Sequence, residues 1–369
     1  MVDKRASGDE PGRALRGARS LLASRWLHPF NDLDTLDELI APFAGHQAFS
    51  RLLAKVVSVE IETADTLSFQ LRPNRHWRGF VAGQHVAVAI EINGRRLQRS
   101  YSLSSDPADR SRIAITVKHQ PGGRISAALH AGLRTGSVLA LSQASGDFVL
   151  PAPLPERLLL IGAGSGVTPL RSMLHALRSA GWQGDLVFLQ ICRDRSDAIF
   201  GAELEQIASA WPPMTLIRHF TAALGRPDLA ALISQVPDYR SRYTLLCGPE
   251  SFMRPLREHW AAAGLADRLG WERYGIVAEP ASDDRPREIS AAKSGLRFQA
   301  APGEPLLLAA ERAGLSPVYG CRIGICHSCR YRKTGLTRNL VTGERCAEAG
   351  ALVQLCICVA ESAVELEEL

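Results

Sequence analysis

The stretch Cys321-Arg-Ile-Gly-Ile-Cys326-His-Ser-Cys329 constrains this chain more than any other, because C-x4-C-x2-C is a spacing that holds a [2Fe–2S] cluster. Thiolates must converge on two irons, so a tight loop supplies the first three. Gly324 lets its backbone close around the inorganic sulfides. A fourth ligand has to come from further along. Leu355-Cys356-Ile357-Cys358 offers Cys356 and Cys358 on an apolar stretch that reads as a strand, and Cys356 is the expected ligand. A zinc site would more often show paired CxxC or Cys/His groups, and a redox dithiol would need only Cys326 and Cys329. His327 reads as a loop filler, since a Rieske-type centre needs a second histidine and this segment has none.

The C-terminal part, from about residue 288 to residue 369, resembles plant-type ferredoxins. The resemblance lies in Pro317-Val-Tyr-Gly-Cys-Arg-Ile-Gly and in the apolar run Val353-Gln354-Leu355 before the last ligand. It implies an α+β ferredoxin-like (β-grasp) domain with Cys321, Cys326, Cys329 and Cys356 as cluster ligands. Arg322, Arg330, Arg332 and Lys333 lie in or just after the cluster loop, where they could form a docking rim for an acidic partner face.

Composition bounds the rest. A chain of 369 residues, 46% apolar and 22% charged, is globular and long enough for two or three domains. It lacks a run of about eighteen apolar residues and a continuous apolar h-region, so neither a membrane span nor a secretory signal is expected. Of eight cysteines, Cys192, Cys247, Cys346 and Cys358 remain scattered outside the cluster set, which suggests a reducing cytoplasm. A net charge of +5 without a basic stripe does not imply nucleic acid. Residues 1–50 are an extension, helical or partly disordered. Arg13 to Leu27 could form a helix with Leu15, Ala18, Leu22 and Trp26 on one face. Flanked by Arg19 and Arg25, it could lie on the inner face of a membrane. The alternative is a helix packed on the next domain, or a frayed tail.

Residues 51–152 show short alternating segments punctuated by Gly, Pro and Asn, the pattern of an all-β barrel or sandwich. Within them, Arg99-Ser-Tyr101-Ser102 would put Arg99 and Tyr101 on one face of a strand. The arginine suits a phosphate there and the tyrosine a flat ring. Gly122-Gly123-Arg-Ile-Ser126 then opens a helix, whose N-terminal N–H groups suit a pyrophosphate. With these residues the chain resembles the ferredoxin–NADP reductase superfamily of flavoproteins. By that likeness Tyr101 stacks on the isoalloxazine, Ser102 approaches its N5, Gly123 and Ser126 line the diphosphate, and Arg99 and Lys118 neutralise phosphate charge. FAD is the expected flavin, and FMN the alternative that members with this domain order carry.

Residues 153–276 begin with a buried-strand run and Gly162-Ala-Gly164-Ser-Gly166-Val-Thr168-Pro169, a turn that lets backbone approach a nucleotide phosphate. Its G-x-G-x-G spacing is not the standard dinucleotide fingerprint. The superfamily's second half resembles this turn and the later Cys247-Gly248-Pro249. The likeness implies a nicotinamide beside Cys247 and Gly248, with Glu272 and Tyr274 against the flavin. Arg193-Asp194-Arg195-Ser196 stands where an adenosine ribose is read: an acid there suits NAD, whereas arginine suits the 2′-phosphate. NADPH is the expectation, with NADH as the alternative. Residues 277–287 read as a linker that makes flavin-to-cluster transfer intramolecular.

The expected protein is thus multidomain, with a β-barrel flavin domain, an α/β nucleotide domain and a ferredoxin domain. It would act as an NAD(P)H:acceptor oxidoreductase, with Ser102, Cys247 and Glu272 at the reacting centre. Whole-chain order resembles reductases of oxygenases and desaturases, and the N-terminal extension, the strand Arg96-Leu-Gln-Arg-Ser-Tyr-Ser102 and the tail Cys321–Cys329 followed by Thr337-Arg-Asn-Leu-Val-Thr-Gly-Glu344 look most like bacterial electron-transfer partners of membrane fatty-acyl desaturases. A soluble aromatic-ring or alkane oxygenase, or a cytochrome, is the alternative acceptor. A redox sensor without dedicated turnover is the alternative of another class.

Overall fold

The computed structural model describes residues 48, 51–92, 95–273, 285–319, 324 and 328–368. The N-terminal helix expected over 13–27, the 277–284 part of the linker, Tyr274, Cys321 and Cys326 lie outside the described residues.

The first sheet is antiparallel, in the order β4-β3-β6-β1-β2-β5. Its strands are β1 Leu53–Thr63, β2 Thr66–Pro73, β3 His85–Ile92, β4 Arg95–Ser102, β5 Ile113–Lys118 and β6 Val138–Leu141. A bridge between Leu103 and Ile115 joins its two ends and closes the barrel. Alternation shows in β3, where Val86 and Val88 point into one core and Ala87 and Ala89 are half-buried, while Ile113 and Ile115 reach that core on a β5 buried from Ile113 to Val117. Helix α1, Arg124–Gly132, covers one mouth and buries Ile125 and Leu129.

The second sheet is fully parallel, in the order β11-β10-β7-β8-β9. It comprises β7 Arg157–Ala163, β8 Asp185–Cys192, β9 Met214–Phe220, β10 Tyr243–Gly248 and β11 Leu269–Arg273. Both faces are covered, which is why β7 reads as an unbroken apolar run from Leu158 to Ile161 and β8 as one interrupted only by the buried Gln190. Leu158 and Leu160 meet α2 (Val167–Ser179) and α3 (Gly201–Ala210) on one face. Leu159 and Ile161 meet α4 (Glu250–Ala262) on the other. The two domains are packed together. Ala82 and Phe148 of the barrel join the α2-side core, and a Cβ on Gly83 would stand 2.5 Å from Met173 Cε of α2.

The third unit has a mixed sheet, β13-β12-β19-β14-β17, and a small one, β16-β15-β18. These are β12 Arg287–Ala291, β13 Leu296–Ala300, β14 Arg330–Thr334, β15 Thr337–Asn339, β16 Arg345–Cys346, β17 Ala351–Gln354, β18 Cys358–Ala360 and β19 Val364–Glu368. Helix α5, Leu306–Arg312, buries Leu306, Leu307, Ala309 and Ala310 against them. The strand expected over 355–358 is absent. Ile357 N donates to Gln354 O at 3.1 Å, closing a turn between β17 and β18, and Cys356 sits in that turn. Lys333 departs from the docking rim as well. It is 1% exposed, and its ammonium donates to Gly335 O and Cys346 O at 2.8 and 2.7 Å.

Candidate functional site

Three chain segments far apart in sequence meet where barrel and nucleotide sheet touch. Ser102 ends β4, and its hydroxyl donates to Glu272 Oε2 at 3.4 Å. Glu272 lies on β11, in register with Cys247 on β10. The expected reacting residues Ser102, Glu272 and Cys247 are therefore neighbours, at 4%, 8% and 0% exposure, so water is excluded where they meet.

Tyr101 stands one residue before Ser102 and packs beside the barrel core. Burial pushes its hydroxyl up to about 12, with Arg99 pulling the other way, so the ring stays neutral. Lys118 is already neutralised by carboxylates, Asp65 at 2.8 Å and Asp197 at 2.9 Å. Its ammonium keeps a third N–H, but two carboxylates already offset its charge and weaken any pull on a phosphate. At the start of α1, Ser126 Oγ accepts from Gln120 N at 3.1 Å and donates to Gly123 O at 3.3 Å. Its hydroxyl fixes the turn, leaving the helix's unpaired N–H groups for an anion. Gly123 is required by the same packing, since a Cβ would fall 2.7 Å from Ser126 Oγ.

Packing at the expected nucleotide cradle shows why glycines stand there. A Cβ on Gly166 would lie 2.1 Å from Cys247 O, and one on Gly248 would lie 2.9 Å from Ala163 Cβ. The turn after β7 and the end of β10 thus approach more closely than a side chain on Gly166 would allow. Gly164 has φ +55, and its Cβ position meets open space. Thr168 Oγ1 donates to Ser165 O at 2.9 Å and ties the turn to α2, while Pro169 occupies the first turn of that helix. Pro249 stands one residue earlier than the start of α4, at its N-cap.

The segment expected to read the ribose is tied up in bonds within itself and to Glu205. Arg195 Nη2 donates to both carboxylate oxygens of Glu205, at 2.8 and 2.9 Å. Asp194 accepts from Ser196 Oγ at 2.5 Å, from Arg193 Nε at 3.1 Å and from Asp197 N at 3.0 Å. The first two of these bonds, led by that from Ser196, hold its carboxyl at about 2.

The cluster residues within the described part fit a [2Fe–2S] group. Cys329 and Cys356 are both buried in one core, and Leu355 N donates to Cys329 O at 3.0 Å, which joins their backbones. Gln354 Nε2 donates to Gly324 O at 2.5 Å, and a Cβ on Gly324 would meet Ile357 Cδ1 at 2.7 Å. The cluster loop is thereby pinned to the turn that carries Cys356. Cys358 faces the same core, but burial pushes its thiol up to about 11.

One residue at this junction escapes the sequence reading. His85 opens β3, pairs with Ser102 across the sheet, and sets Nδ1 3.5 Å from Glu272 Oε1. Its only signal was a polar residue heading an apolar strand.

Comparison with known proteins agrees with this architecture. Three families match in order: oxidoreductase FAD-binding domain over 53–150, oxidoreductase NAD-binding domain over 160–258, and 2Fe-2S iron-sulfur cluster binding domain over 289–361. An NADPH oxidoreductase of Mycobacterium tuberculosis is 35% identical over 352 residues, covering 94% of this chain and 89% of its own. A glycine betaine monooxygenase reductase subunit of Chromohalobacter salexigens is 30% identical, covering 69% and 77%. Among solved structures, phthalate dioxygenase reductase shares the fold, with a TM-score of 0.62 at 24% identity, covering 86% of this chain and 98% of that one. The fold and its matched domains define a flavin- and nicotinamide-dependent oxidoreductase with a [2Fe–2S] domain. The chain belongs to the ferredoxin–NADP reductase-like family of iron–sulfur flavoproteins, and its cofactors are FAD, NAD(P)H and a [2Fe–2S] cluster.

Proposed function

We propose that this chain is the reductase component of an oxygenase system, delivering electrons from NADPH to an oxygenase protein. The convergence of Ser102, Glu272 and Cys247 carries the reading, because it brings the end of the flavin strand against the end of the nucleotide sheet. When bound, FAD supplies the conversion from hydride to single electrons. The chain's own residues orient and seal. Tyr101 offers a ring face, the α2 N-terminus receives the pyrophosphate, and the buried Cys247 walls the nicotinamide from water. Tyr319, two residues before Cys321, packs on both the barrel core and the ferredoxin core, and so holds the cluster domain against the flavin domain.

The monooxygenase reductase subunit among the relatives supports an oxygenase acceptor. The fatty-acyl desaturase acceptor has no comparable support. No helix among the described residues is long and apolar enough to cross a membrane, and the amphipathic segment that could lie on one falls outside them. For the nicotinamide, NADPH is favoured by the paired Arg193 and Arg195 and by the name of the mycobacterial relative. The test is anaerobic reduction with NADPH, followed by mixing with a purified oxygenase component or with desaturase-containing membranes while acceptor iron is followed by electron paramagnetic resonance. Rapid reduction of the oxygenase is expected. Transfer to the desaturase alone would overturn the reading.

A further inference from the structure

A hydride carries two electrons and one proton, whereas an iron–sulfur cluster takes electrons alone. Each turnover must therefore return one proton from the flavin edge to water. The residues that meet that edge are sealed, with Ser102 and Glu272 both buried.

A line of polar atoms leads outward from them. Ser102 Oγ donates to one carboxylate oxygen of Glu272, and the other oxygen faces His85 Nδ1 at 3.5 Å. That nitrogen is buried and has no hydrogen-bond partner among the described residues. On the far side of the ring, Nε2 lies 3.4 Å from Ser145 Oγ, and Ser145 is exposed. The arrangement is built. His85 N donates to Ser145 O and Ser145 N donates to His85 O, each at 3.0 Å. Gly146, at φ +119, makes room for the ring, because a Cβ there would stand 2.9 Å from Nδ1.

We propose that His85 is a positioning residue that passes the proton arriving at Glu272 through its ring to Ser145 and solvent. The inference rests on the flavin lying against Tyr101 and Ser102, as proposed above. Ser102 accepts the proton as it gives its own to Glu272, and Glu272 passes one to His85 Nδ1. The ring releases a proton from Nε2 to Ser145 and water, and tautomer exchange restores the starting state. An imidazole suits this step because one nitrogen can gain a proton while the other loses one. The contacts of 3.4 to 3.5 Å are of the length that shortens when a reacting complex forms.

The test uses the holoenzyme with His85→Leu and His85→Gln. In an anaerobic single turnover with a one-electron acceptor, hydride transfer is followed by flavin absorbance and proton release by an indicator dye. Both variants should keep hydride transfer within about twofold and slow proton release by about a hundredfold, the lower range of general acid–base contributions. Glutamine retains hydrogen bonding without gaining a proton, so a His85→Gln protein with wild-type proton release would reduce His85 to a packing role and overturn the proposal. Wild-type release in both variants would overturn it too. Independently of turnover, the Nδ1 resonance of nitrogen-15-labelled His85 should move in Glu272→Gln, and an unmoved resonance would refute the contact. A Tyr101→Ala protein that keeps its FAD and visible spectrum would instead show that the flavin lies elsewhere.

Discussion

Replacing Gly166 by alanine tests the close approach of the turn after β7 to the end of β10, on which the proposed nicotinamide placement depends. The backbone there is ordinary right-handed helical, with φ −60 and ψ −12, so alanine meets no conformational penalty and the effect is steric. The new Cβ would lie 2.1 Å from Cys247 O, 2.4 Å from Cys247 C and 2.7 Å from Gly248 N. All three are backbone atoms, which cannot swing aside as a side-chain tip can. Ordinary contact begins at 3.4 Å, so the turn and the strand end must separate by about 1.3 Å. Overpacking of this kind costs about 1–3 kcal/mol of stability, which the fold can absorb. The reaction is more sensitive, since misplacing a reacting group by about 1 Å can cost about a hundredfold in rate. Anaerobic stopped-flow reduction by NADPH should therefore show flavin reduction slowed by about that factor, with FAD and iron contents unchanged. A variant reduced within about twofold of the wild-type rate would refute the argument that Gly166 and Cys247 set the nicotinamide's position.

Cys356→Ser should abolish the visible and paramagnetic signals of the cluster, while Cys358→Ser leaves them, because only Cys356 sits in the turn bonded to Cys329 and pinned to Gly324. The reverse result would exchange the ligands. Arg195→Ala should raise KM for NADPH about tenfold and leave that for NADH nearly unchanged, the loss expected for a charge-assisted phosphate bond partly offset by release from Glu205. Equal effects on both would make the Arg195–Glu205 pair structural. Glu203 tests the docking of α3 on α2 by pH. Burial would raise its carboxyl, but hydrogen bonds from His175 and Arg171 hold it at about 2, below an unfolded value of about 4.3. The stabilisation, about 2 kcal/mol after allowing for partial exposure, is present above the unfolded value and lost as pH falls through the folded one. The Tm deficit of Glu203→Gln should accordingly shrink by more than half between pH 7 and pH 3, and a pH-independent deficit would contradict this.

What the sequence made legible follows from periodicity. Strand β3 alternates because one face is buried, and β7 is continuous because both faces are. Cys356 misled as a strand residue because Leu355 and Ile357 are as apolar as strand neighbours, and the turn depends on a backbone bond from Ile357 to Gln354. The Arg195–Glu205 pair was invisible for another reason: Glu205 is one more polar residue of α3 until β8 and the helix are docked. His85 and Glu272 lie on separate domains, and only the packing of barrel against parallel sheet brings them together.

Of the expected docking rim, Arg330 and Arg332 are exposed, Lys333 is buried, and Arg322 lies outside the described residues. Arg330-Tyr-Arg332-Lys333 reads as a basic cluster, yet a strand divides it by alternation. Cys329 and Lys333 face inward and are buried, whereas Arg330 and Arg332 face out. On the outer face Arg332 stands in register with Glu367 of β19 on one side and with Leu352 of β17 on the other. A carboxylate directly across the ladder offsets the guanidinium's field beyond a few ångströms. Leu352 remains 49% exposed, so this face offers an apolar centre between charges of both signs. A partner meeting it would gain more from fitting Leu352 than from long-range attraction. Recognition through such a surface is governed chiefly by how slowly the complex dissociates, since steering by net charge acts on association.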